Sequence, residues 1–374
     1  VSTAPPSLHR DVPLAPFTTL ELGGRARLFL EVAREGELVE ALRWAAAQGM
    51  PAALLGGGSN VVVDDEGFPG LVVRVATRGI EVARSAQEIL LTAAAGEPWD
   101  EVVNLAVSEG WAGIECLSGI PGTVGATPIQ NVGAYGQEVG QVLHSLCALD
   151  RSTWEVVTLP GGELQLGYRT SLLRRQPGRW AVLAVTLALR PGGAATLRYQ
   201  ELEELLQTGR RDPGLARVRE AVLELRRGKS MLLTPDDPNR RSVGSFFLNP
   251  LVEPTVADEV ARRAVAAGCL DAPQRLPRFP APAGAVKLPA AWLVEHAGFP
   301  RGYRRGAVGL STRHALALVH HGGGCTAELL ALARNIVTAV EERFGVTLVP
   351  EPTALDGTPL ALRGTPGGGA CLRP

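Results

Sequence analysis

The chain has 374 residues, of which 45% are hydrophobic and 20% charged, with a formal net charge of −1; this is a globular profile with room for about two or three cores. So small a net charge excludes a global attraction to nucleic acid or an anionic membrane, and no apolar run approaches the roughly 18 residues of a membrane span. The N-terminus lacks a basic region followed by an apolar stretch, so no signal peptide is expected. Five cysteines, an odd number without a C-x-x-C pair, fit free thiols in a reducing cytoplasm.

In chain order, residues 1–19 are polar and Pro-rich and read as a loose arm. Leu38, Leu42 and Ala45 give helical spacing over Glu37–Gln48, ended by Gly49. Apolar runs at Pro51–Leu55, Val61–Val63 and Leu71–Val75 read as strands of a small α+β unit. Glu88–Ala94 reads as a strand and Trp99–Glu109 as a helix. Val142–Leu149, Trp154–Leu159 and Trp180–Leu189 read as an antiparallel sheet. Gln200–Gln207 and Leu215–Arg227 are expected helices, and Leu232–Arg241 a surface loop. A third unit follows, with a strand near Ser245–Leu248, a helix near Thr255–Ala267, a Pro-rich link at Ala272–Gly284 and a helix at Pro289–Ala297. It closes with a strand at Ala315–Val319, a long helix at Ala327–Phe344 with Thr326 as N-cap, and a last strand at Val346–Val349. The Gly- and Pro-rich stretch after Glu351 is expected to be disordered.

Two loops stand out. The turn Leu55-Gly-Gly-Gly-Ser-Asn60 lies between two expected strands. Three glycines allow backbone angles that a Cβ resists, so several N–H groups can converge on one anion, with Ser59 and Asn60 adding side-chain donors. The second loop, Gly113 to Gly136, is rich in glycine and hydroxyls and carries only Glu115 as a charge. Such a neutral segment suits packing against a large, flat, partly polar ligand. Neither loop has the spacing or the following helix of a Rossmann fingerprint or a P-loop. Together they suit a dinucleotide with a pyrophosphate and a flat ring.

Leu55-Gly-Gly-Gly-Ser-Asn60, Gly119-Ile-Pro-Gly-Thr-Val-Gly-Ala126, Gly167-Tyr-Arg-Thr-Ser171, Gly244-Ser-Phe-Phe-Leu-Asn-Pro250, Lys287–Gly298 and Leu348-Val-Pro-Glu351 occur in an order that resembles the UDP-N-acetylenolpyruvoylglucosamine reductase family, in its branch with a substrate-closing tyrosine loop. The resemblance spans about residues 15 to 352. It implies an α+β chain: a two-domain FAD-binding fold of the vanillyl-alcohol-oxidase/PCMH type, with a third α/β domain for substrate. The expected division is 1–76 and 77–214 for the FAD-binding subdomains, 215–352 for the substrate domain, whose last strand is a candidate to return to the first subdomain, and 353–374 for a disordered tail. The implied cofactors are non-covalent FAD and NADPH as hydride donor. The implied partner is a UDP-sugar, with no nucleic acid and no membrane, in a monomer or weak dimer.

The same resemblance assigns residues. Leu55, Gly56, Gly57, Gly58, Ser59 and Asn60 would meet the pyrophosphate, and Ile120, Pro121, Gly122, Thr123 and Gly125 the flavin and ribityl chain. Ser245 matches the family's proton donor, Arg169 the arginine beside the substrate carboxylate, and Glu351 a glutamate near the same point, although the family's Glu-Pro-Glu-Val is Val349-Pro-Glu-Pro352 here. Adding hydride to the enolpyruvyl C3 leaves enolate character at C2. That charge calls for donors, a cation and a local proton, and a guanidinium can grip a carboxylate bidentately. Tyr199, Lys229 (or Arg227), Asn249 and His296 match substrate-binding positions. His320-His321 is not read as a metal site, because neighbours on a strand face opposite ways and no zinc-like spacing accompanies them. The alternatives are another FAD oxidoreductase of this fold, such as a hydroxy-acid or aldonolactone oxidase, and a non-catalytic nucleotide-binding module; neither requires Arg169, Ser245 and Glu351 together.

Overall fold

The computed structural model describes residues 5, 7–206 and 213–362. Its first sheet runs His9–Pro13, Arg25–Val32, Phe68–Val75, Ala52–Leu55, parallel except for the antiparallel edge strand His9–Pro13. The N-terminal segment is therefore no loose arm over these residues. Val12 and Phe17 pack on the fully buried Leu14 and on Phe29, and that apolar contact fixes the strand. Arg25–Val32 alternates exposed and buried residues around a buried Leu28–Leu30, as a strand with one helix-covered face does. Helix Glu35–Ala47 covers that face through Leu38, Ala41, Leu42 and Ala45.

The second sheet is antiparallel, in the order Glu155–Pro160, Leu143–Asp150, Trp180–Pro191, Ile89–Ala94, Ile80–Arg84. Helix Trp99–Ser108 packs beside it through Trp99, Val102, Val103 and Ala106. Both sheets feed one continuous core, with Leu42 and Leu71 in the same cluster as Leu91, Trp99 and Val185. Helix Leu215–Gly228, expected in the third domain, belongs here: Val218, Ala221 and Val222 pack on Leu202, Leu206 and Cys116. Asp100 holds it with a bidentate pair to Arg219 at 2.6 and 2.8 Å.

The third sheet runs Ser242–Ser245, Ala317–His320, Val308–Leu310, Arg304–Arg305. It shares a second core with helices Pro254–Ala266, Ala290–His296 and Thr326–Phe344. Thr326 is not the N-cap of the last helix. Cys325 is, and the Asp65 carboxylate accepts from the N–H groups of Thr326 and Ala327 at 2.7 and 2.8 Å. The Thr326 hydroxyl donates to Val63 O. Charge at a helix N-terminus thereby ties the third unit to the first. Val346–Val349 forms no regular strand; Val346 and Leu348 fill the second core. The return to the first unit comes later, where Thr353–Ala354 pairs in parallel with Val61–Val62. Expected disorder from 353 therefore does not hold up to 362, where Leu355 and Leu362 are buried. Residues 363–374 lie outside the described residues.

Candidate active site

The three units meet around one cleft with a cavity of about 520 Å³. The two glycine loops form its floor by touching each other. A Cβ on Gly57 would lie 2.7 Å from Gly122 Cα, and Gly58, at φ +63°, would place a Cβ 2.0 Å from Phe17 O. Only glycine permits both the turn and the approach. Ser59 and Asn60 do not point freely into the cleft as donors. The Ser59 hydroxyl donates to Pro121 O at 3.2 Å, and the Asn60 amide to Gln130 Oε1 at 2.9 Å. Both side chains fasten one loop to the other. Among the described residues, no protein acceptor meets the backbone N–H of Gly56, Gly57, Gly58 or Ser59. The second loop is pinned from behind by Gly119 N–H to Asp100 and by Gly125 N–H to Ala95 O. Its one charge, Glu115, is fully buried and accepts from Gly113, Gln137 and Thr196. That carboxylate serves the loop's shape.

At the other end the cleft is lined by charged and polar side chains. Arg169 sits at φ +52°, an uncommon angle for a residue with a Cβ and the kind of strain that collects at functional sites. Its guanidinium donates to Gly133 O at 2.6 Å and pairs with Glu351, Nε to Oε1 at 3.0 Å. Glu351 N–H donates to Phe246 O at 2.9 Å, which sets the carboxylate beside the residue after Ser245. Arg174 donates to Glu351 O and to Gln130 Oε1. Burial raises the Glu351 carboxyl above its ordinary range, against the pull of Arg169 and Arg174. Two guanidinium groups about one carboxylate leave a positive charge facing the cleft.

Ser245 ends the strand Ser242–Ser245, which lies three residues earlier than expected, and pairs with Ala317. Its Oγ lies 2.9 Å from His314 Nε2. Burial, with Lys229 and Arg301 nearby, pushes the imidazole pKa down to about 4. Lys229 Nζ meets Glu201 at 2.5 Å and lies 5.9 and 6.0 Å from the ring centroids of Tyr135 and Tyr199. Those rings are edge-on at 5.3 Å.

A family model described as UDP-N-acetylenolpyruvoylglucosamine reductase, C-terminal domain, matches residues 236–355, and one described as FAD binding domain matches residues 26–165. The UDP-N-acetylenolpyruvoylglucosamine reductase of Streptomyces coelicolor is 46% identical over 352 residues, covering 93% of this chain and 90% of that one. The Saccharopolyspora erythraea protein of the same name is 49% identical over 352 residues, covering 92% and 94%. The chain belongs to the UDP-N-acetylenolpyruvoylglucosamine reductase family. The crystal structure of the Thermus caldophilus enzyme superposes with a TM-score of 0.61 at 25% identity, over 93% of this chain and 98% of that one. Membership in the reductase family makes the chain an FAD-dependent oxidoreductase, and the glycine floor with its free N–H groups fits the pyrophosphate of that cofactor.

Of the residues expected in the reductase site, Leu55–Asn60, Ile120, Pro121, Gly122, Thr123, Gly125, Arg169, Tyr199, Lys229, Ser245 and Glu351 all line this cleft. Asn249 and His296 do not. Asn249 Oδ1 accepts from Ala290 N–H at 2.9 Å and so starts helix Ala290–His296. His296 stacks on Trp292 at 4.1 Å and bonds Trp292 O, one helical turn away. Arg227 is absent from the lining and its carbonyl accepts from Arg313. The sequence reading missed His314, Arg174 and Gln130. Gln130 lies inside the second loop, so an amide between two loop glycines was the available signal. His314 and Arg174 carry no local signal.

Proposed function

We infer that this chain catalyses the NADPH-dependent, FAD-mediated reduction of UDP-N-acetylglucosamine enolpyruvate to UDP-N-acetylmuramate, a step of peptidoglycan precursor synthesis. It acts in the cytoplasm as a monomer or weak dimer. The observation that carries the reading is the convergence of Ser245, Arg169 and Glu351, from three distant segments, opposite the glycine floor of one cleft. When bound, FAD supplies the hydride that adds to C3 of the enolpyruvyl group. Arg169, backed by Arg174, holds the substrate carboxylate and the charge that grows beside it at C2. Ser245 delivers the proton to C2 from Oγ. Glu351 keeps the Arg169 guanidinium aimed at that point. Lys229 exchanges Glu201 for the diphosphate, and Tyr199 closes over the UDP moiety.

The test is anaerobic stopped-flow on the purified flavoprotein. NADPH should bleach the flavin, and UDP-N-acetylglucosamine enolpyruvate should restore its colour without oxygen. Bleaching followed by recolouring with oxygen alone would point to an oxidase instead.

A further inference from the structure

The contact between Ser245 Oγ and His314 Nε2 is held from both sides. Ser245 pairs with Ala317 across the sheet, and Phe246 N–H donates to Leu316 O at 2.7 Å. Ala317 N–H returns to His314 O at 3.1 Å, so the 311–316 loop closes with the imidazole against the end of the serine strand. The Ser311 hydroxyl accepts from the N–H groups of Arg313 and His314 at 3.1 and 3.3 Å and fixes the turn. Burial, with the charges of Lys229 and Arg301 acting in the same direction, favours the neutral ring. A neutral imidazole donates from one nitrogen only.

We propose that His314 is a positioning residue for the proton donor: protonated at Nε2, it donates to Ser245 Oγ and so turns the serine hydrogen toward the cleft. The proposal rests on Ser245 being that donor. A bare Nε2 would take the serine hydrogen for itself and hold it away from C2. In the step, the Ser245 O–H bond breaks, its proton forms the new C–H bond at C2, and its electron pair stays on Oγ. That developing alkoxide is the charge that the Nε2–H group meets, as donors of an oxyanion hole do. Water from the open cleft later returns a proton to Oγ.

The experiment uses FAD-loaded full-length enzyme, reduced with NADPH, and follows single-turnover reoxidation by UDP-N-acetylglucosamine enolpyruvate. His314→Phe should slow reoxidation on the order of 10²-fold while NADPH reduces the flavin at the wild-type rate. His314→Gln, whose amide N–H reaches the place of Nε2, should recover most of the loss. In a Ser245→Ala background, His314→Phe should cost nothing further, because the two groups act as a unit. Full activity of His314→Phe, equal slowing in both backgrounds, or no gain from Gln over Phe would overturn the proposal. If His314→Phe does not hold FAD, the comparison is His314→Gln against the shorter His314→Asn; equal rates overturn the proposal. Slow Ser245→Ala with fast His314→Phe removes His314 alone, whereas fast Ser245→Ala removes the serine assignment and the proposal with it.

Discussion

The loop Leu55–Asn60 meets the cleft with glycine backbone and with N–H groups that no described acceptor takes up. The opposite end meets it with Arg169, Glu351, Ser245 and His314, all held by side-chain contacts. The first surface is built from contiguous chain and its shape depends on missing Cβ atoms. The second is assembled from segments some 40 to 180 residues apart in sequence, as sheet register and interdomain bonds dictate. A substitution at the first end should therefore remove the cofactor. At the second it should leave the cofactor in place and slow one half-reaction.

The largest expected effect is at the glycine floor. Gly57→Val puts branched carbon where Gly122 Cα stands, 2.7 Å from the added Cβ, and neither backbone can yield cheaply. The folded variant, checked by circular dichroism, should purify without stoichiometric FAD in its visible spectrum.

The next concerns Arg169. Arg169→Lys should slow reoxidation by the enolpyruvyl substrate by about 10²–10³-fold, since a point charge does not reproduce the planar fork. FAD content should be unchanged. Because Arg169 and Glu351 are paired at 3.0 Å, the double variant Arg169→Lys, Glu351→Gln should lose less than the sum of the single losses in log rate. Single-turnover rates for the three variants check this, and strict additivity would break the pair.

Stability against pH separates the two ends differently, because the loop Leu55–Asn60 carries no titrating side chain. Burial holds the His314 pKa down at about 4 from an ordinary 6.5, so between these values the unfolded chain binds more protons than the native one. Stability from this group is present above pH 6.5 and lost as pH falls toward 4. The loss amounts to about 3 kcal/mol. His320 and His321 are also depressed by burial, but they remain in the variant His314→Phe. Urea melts at the two ends of this window should therefore show a steeper acid loss for wild type than for His314→Phe.

The smallest effect should come from His296. Its ring stacks on Trp292 and lies outside the cleft. His296→Gln should leave KM for the UDP-sugar unchanged, and a large rise in KM would return that residue to the site.

These contrasts also explain what could be read from sequence. The glycine floor was legible because contiguous glycines state their own requirement. That Arg169, Ser245 and Glu351 would share one cleft was legible only from ordered motifs, since none carries a local mark of that position. His314 was not, because it stands 69 residues from Ser245 and meets it only through the pairing of Ser245 with Ala317. His296 stacks instead on Trp292, four residues earlier, the spacing at which helical side chains meet. Val346–Val349 alternates like a strand, yet Val346 and Leu348 enter a core without joining a sheet. Arg25–Val32 was overlooked because its buried face is continuous at Leu28–Leu30, which blurs the period of two. Thr326 looked like a cap by residue type, but Asp65, some 260 residues away in sequence, takes those N–H groups.

The central claim is that cofactor retention and substrate protonation belong to separate ends of one cleft. The most direct test is a paired measurement on Ser245→Ala of FAD content and of both half-reactions by anaerobic stopped-flow. The account predicts stoichiometric FAD, flavin reduction by NADPH at the wild-type rate, and reoxidation by the enolpyruvyl substrate slowed on the order of 10²–10⁴-fold. Loss of FAD, equal slowing of both halves, or no slowing at all would contradict it.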